Sequence, residues 1–61
     1  MKRYRVRATD IPPTIARRTG VHTIGLGNGY WSVSGTDEEC QLFFAAMFEE
    51  PTVAILSMEE Q

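Results

Sequence analysis

The chain has 61 residues, 43% of them hydrophobic, with six lysines and arginines against eight acids and a net charge of −2. That length allows a single domain, 1–61, near the size below which a hydrophobic core alone fails to offset chain entropy. Cys40 is the only cysteine, which excludes an internal disulfide and a cysteine-built zinc finger; no apolar run approaches the roughly 18 residues that span a bilayer, so neither export nor a membrane partner is expected, and a cytoplasmic setting is.

From Lys2 to Thr9 apolar and basic residues alternate, with Tyr4, Val6 and Ala8 on one parity and Arg3, Arg5 and Arg7 on the other. This is the pattern of a half-buried strand with one all-arginine face. Asp10-Ile-Pro-Pro-Thr ends it, because proline gives no donor to a ladder and disfavours helix in the residue before it. Thr14 to Arg18 fits one helical turn closed by Gly20, read as part of a connector. Val21–Leu26 and Tyr30–Ser34 then flank Gly27-Asn28-Gly29, and Asn-Gly between two such runs predicts a two-residue hairpin. Its simplest register sets Gly27 opposite Tyr30, Leu26 opposite Trp31, Gly25 opposite Ser32 and Ile24 opposite Val33. Ile24, Leu26, Trp31 and Val33 would then share the core face, with Thr23, Tyr30, Ser32 and Ser34 on the other.

Thr36-Asp37-Glu38-Glu39 reads as a capping box that starts a helix. Cys40, Phe43, Phe44, Met47 and Phe48 follow at helical spacing as a broad apolar stripe, and Pro51 stops the helix. Thr52 to Met58 reads as a last strand, apolar on both parities, which suits a central strand or one whose second face meets another chain. A right-handed crossover through the helix would set the strands before and after it parallel. The expected fold is a small two-layer α+β domain, a four-stranded, mainly antiparallel sheet with one helix packed on one face, in the order β-β-β-α-β.

Charge is sorted along this plan. All six bases lie within the first 18 residues, whereas seven of the eight acids follow Gly35. Arg3, Arg5 and Arg7 project at about 6.6 to 7 Å intervals, twice the strand rise, which is similar to the spacing of successive phosphates on one nucleic-acid strand. Arg17, Arg18 and Tyr30 extend this candidate surface for a nucleic acid or an acidic partner. The plainer reading is a solvated strand face paired with the protein's own carboxylates. On the helix, Leu42 and Ala46 lie off the main stripe beside Glu38 and Glu49, and with Glu50 they form a candidate protein interface. Glu49 and Glu50 stand at the helix end that disfavours negative charge.

No catalytic or metal-binding constellation emerges. Gly25-x-Gly27-x-Gly29 sits in a hairpin and not between a strand and a helix, so it is no dinucleotide fingerprint. His22 and Cys40 are too few to build a metal site, and no cofactor is expected. Ile15-Ala16-Arg17-Arg18-Thr19-Gly20-Val21 resembles the turn of a helix-turn-helix, yet a recognition helix across the glycines that follow would cost about 1 kcal/mol each. The order of three strands, capping box and helix, with arginines on the first strand and an aromatic at the end of the third, is similar in layout and in the stretch from Trp31 to Ala46 to integrase/AP2-type domains, which lay a three-stranded sheet on DNA. The final strand and the acidic second half depart from that layout. The expectation for function is a non-enzymatic protein-interaction module, an inhibitor or adaptor of the type encoded by phage and mobile elements. Nucleic-acid binding through the arginine face is the first alternative, and a self-assembling homo-oligomeric subunit the second.

Overall fold

The computed structural model describes all residues from Met1 to Gln61. Its elements are β1 (Lys2–Ala8), α1 (Pro13–Thr19), β2 (His22–Gly27), β3 (Tyr30–Gly35), α2 (Asp37–Glu49) and β4 (Ile55–Glu60). The strands form one sheet in the order β2-β3-β1-β4, with every neighbouring pair antiparallel. β3 and β4 therefore run parallel to each other on either side of β1, as a crossover through α2 requires. β1 and β2 bracket β3 in the same way through α1, so the molecule is two interlocked split β-α-β units.

Two helices cover the sheet, where the sequence pattern gave one. The segment after Pro12 forms α1 because proline in the first turn costs no hydrogen bond and carries a helix-compatible φ. Gly20 closes it in the left-handed region at φ +86°, donating to the Ala16 carbonyl at 3.0 Å. α1 contributes Ile15 and Ala16 to the same core that receives Cys40, Phe43 and Met47 from α2. Both helices thus lie over the sheet face that carries Val6, Ala8 and Val33, and the opposite face has no covering layer. Phe44 lies edge-on against both Tyr4 and Phe43, at centroid distances of 5.1 and 5.3 Å. Phe48, expected on the buried stripe, is 65% exposed although Met47 beside it is buried, so the stripe that reaches the core is narrower than the sequence pattern.

α2 begins as its capping box dictates. The Glu39 amide donates to Thr36 Oγ1 at 3.1 Å, and the Thr36 amide donates to Glu39 Oε1 at 2.8 Å. β4 is displaced from its expected place and is an edge strand, not a central one. Thr9 explains the late start: its amide donates to the Ala54 carbonyl and its hydroxyl accepts from the Ala54 amide, so residues 50 to 54 serve as a connector pinned to the end of β1. The ladder then runs on through Glu59 and Glu60, which pair with Arg5 and Tyr4.

The hairpin turns at Asn28-Gly29 with both residues at positive φ, but its register differs from the simplest one. Gly27 pairs with Tyr30, and the next pair is Gly25 with Trp31, so Leu26 is an extra, bulged residue. Gly27 makes the bulge accessible, since its φ of +88° is one that L side chains rarely adopt. One inserted residue exchanges the two faces of everything before it. Thr23 lies opposite Val33 on the helix side, whereas Ile24 lies opposite Ser32 on the open side, 52% exposed.

Candidate functional site

The open face of the sheet can be read row by row, because residues directly opposite in an antiparallel pair share a face. β1, one of the two inner strands, supplies Arg3, Arg5 and Arg7, all exposed. Opposite them on β3 are Ser34, Ser32 and Tyr30 in turn. β2 adds His22 beside Ser34 and Ile24 beside Ser32, while β4 adds Glu59 beside Arg5 and Ser57 beside Arg7. The result is a row of three guanidinium groups flanked by hydroxyls, one phenol ring and one carboxylate.

Tyr30 organises two of the arginines. The Arg5 guanidinium carbon lies 4.5 Å from the centroid of its ring and that of Arg7 lies 5.7 Å away. Both distances fall within the range of cation–π attraction, which restrains two long side chains above one ring. None of the three arginines forms a salt bridge, Glu59 notwithstanding. Lys2 with Glu60, 3.1 Å apart, is the one salt bridge in the molecule, and the alternation of β1 puts it on the helix side. The sorted bases and acids of the sequence therefore form one ion pair within the molecule.

Of the residues singled out from sequence, Arg3, Arg5, Arg7 and Tyr30 come together on this face. Arg17 and Arg18 do not join them, because they end α1 in the helix layer. Arg18 instead lines a groove of about 300 Å³ between the two helices, with Thr19, Leu42, Ala45, Ala46 and Glu49. Three of the residues read as a protein interface thus share one surface, and Leu42 is 55% exposed there. Glu38 is exposed on α2 outside the groove lining, and Glu50 accepts a hydrogen bond from Thr52 Oγ1 at 3.1 Å, a local partner for one of the two acids at the helix end.

His22, Ile24, Ser57 and Glu59 were not assigned to the open face from sequence. Gly27 beside Asn28-Gly29 is the signal that would have placed the first two, since a glycine before such a turn is where a bulge is accommodated. His22 and Cys40 lie on opposite sides of the sheet, and no three His, Cys, Asp or Glu side chains cluster. Burial, together with the nearby Asp37 and Glu39 charges, raises the Cys40 pKa above its ordinary 9.0, which keeps the thiol protonated. The hydrogen bond and charge of Glu60 raise the Lys2 pKa above 10.5. No helix is long and apolar enough to cross a membrane. Compared with known proteins, the chain matches no family model, no curated protein and no solved structure.

Proposed function

We propose that this protein is a non-enzymatic binding module whose open sheet face takes a nucleic acid. The observation that carries the reading is the row of Arg3, Arg5 and Arg7 on the inner strand β1, exposed, uncovered by any helix and free of salt bridges. An arginine without a carboxylate partner offers its donor fork to phosphate, and alternate positions on a strand repeat that offer at a spacing close to a phosphodiester repeat. The net charge of −2 does not oppose this, because the acids are concentrated on α2 and at the chain end while the face itself has three bases to one acid. Fluorescence anisotropy across a salt series tests it. Affinity should fall steeply with salt, and each phosphate-contacting arginine replaced by alanine should lower the slope by about 1. Absence of binding at low salt would end the reading.

The groove between the helices favours a second reading, an adaptor or inhibitor that captures a protein. Leu42 stands exposed over small Ala45 and Ala46, with Arg18 and Glu49 on the rim. An apolar centre with a charged rim is the anatomy of a modest interface. Affinity capture should be lost with Glu49→Lys or Leu42→Trp and retained with Arg5→Ala; equal capture by all three variants would remove the groove from consideration.

A further inference from the structure

The open face holds one aromatic ring, and that ring is already occupied by cations. We infer that the nucleic acid taken by this face is single-stranded, with an unpaired base stacking on Tyr30 while Arg5 and Arg7 pass from the ring to the adjoining phosphates. This rests on the reading of the sheet face as a nucleic-acid site. The Arg5 and Arg7 guanidinium carbons lie 4.5 and 5.7 Å from the ring centroid, and neither arginine has a carboxylate within salt-bridge distance. Each partner of that contact is therefore held ready by a weak attraction and not by a strong one.

A nucleotide supplies the two things the contact would give up, a flat π-face for the ring and an anionic oxygen for each guanidinium. Paired bases in a duplex hide their faces within the stack, so a duplex would engage the arginines and leave Tyr30 without a role. An acidic peptide has the same shortfall, since its carboxylates satisfy guanidinium groups but bring no ring. Ile24, 52% exposed and across from Ser32 one row from Tyr30, adds apolar surface on which a second base can rest. Glu59, the acid that the strand register sets opposite Arg5, opposes any anionic ligand on this face.

The test compares labelled oligothymidylate with a hairpin duplex of the same phosphate count at low salt, with polyglutamate as competitor. The single strand should bind about tenfold or more tighter than the duplex. Tyr30→Ile, which keeps an apolar, strand-favouring residue, should lose about tenfold on the single strand and nothing on the duplex, whereas Tyr30→Phe should retain binding. Glu59→Gln should tighten both. In the unaltered protein the Tyr30 ring protons should move upfield in NMR spectra on adding oligothymidylate, a readout that depends on no variant. Equal affinity for both probes with no ring shift would overturn the single-strand inference and leave the sheet-face reading standing. Binding to neither probe would overturn both, and displacement by polyglutamate at the same charge concentration would assign the face to an acidic protein instead.

Discussion

Glu39 does three jobs from one position. Its carboxylate closes the capping box of α2, and its two oxygens lie 2.9 Å and 2.8 Å from where a Cβ on Gly35 and Gly20 would stand. The side chain thus fills a slot that exists because two backbones carry no side chains. Gly20→Ala would push against the carboxylate and force an L-residue to φ +86°, a conformation that costs about 1–2 kcal/mol before any clash. Glu39→Ala should cost about 1 kcal/mol through the lost cap, and urea denaturation of both variants measures the two effects. Cys40, under the same helix turn, sets a pH limit. Its pKa is higher in the folded chain than the ordinary 9.0 of an unfolded thiol. The folded state then binds more protons, so stability is full below about pH 9 and declines as pH rises through the folded value. Lys2, raised above 10.5 by Glu60, acts with the same sign in a higher window. Urea midpoints measured from neutral into alkaline pH should fall above pH 9, less so in Cys40→Ala, and the folded thiol should resist alkylation until the protein is unfolded.

Among the elements, α2 is the one whose limits the sequence determines alone. Thr36 and Glu39 fix its start, Pro51 its end, and three of five stripe residues are buried as their spacing predicts. Phe43 has no exposed surface, so Phe43→Ala should cost about 3–5 kcal/mol. A domain of this size has about that much stability in total, so circular dichroism should find the variant largely unfolded at room temperature. The strand β1 was equally legible, because alternation over seven residues is a direct image of a two-faced sheet. The hairpin was legible in its turn and misleading in its faces. Segregating four large apolar side chains onto one face is what hydrophobicity prefers, but the positive φ open to Gly27 made room for a bulge that turned Ile24 outward. β4 was displaced for a reason no local pattern holds, the two hydrogen bonds that Ala54 exchanges with Thr9, 45 residues away. Of the candidate surfaces, alternation sufficed to find the three strand arginines. Arg18 could not be assigned to the helix groove without knowing that α1 and α2 are neighbours.

At the scale of the molecule, placing both helices on one side leaves a sheet with one covered face and one open face, and the three strand arginines all fall on the open one. Removing the three strand arginines together should therefore abolish anion binding with little effect on stability, since none is buried or ion-paired. Thermal melts of Arg3→Ser/Arg5→Ser/Arg7→Ser beside the unaltered protein check this, and a large loss of stability would show the face to be structural. The strand order also governs how the molecule comes into being. β1 is one of the two inner strands, and its two neighbours are residues 30–35 and 55–60, both far along the sequence from it. Its pairing on both sides cannot be completed until β4 has been added, so the finished sheet waits on closure of nearly the whole chain even though helices and hairpin can form locally. Folding should accordingly be slower than for a helical bundle of equal length, nearer to the rates of mixed α/β domains. A chain halted before Ile55 would present β1 as a bare edge open to strands of other molecules.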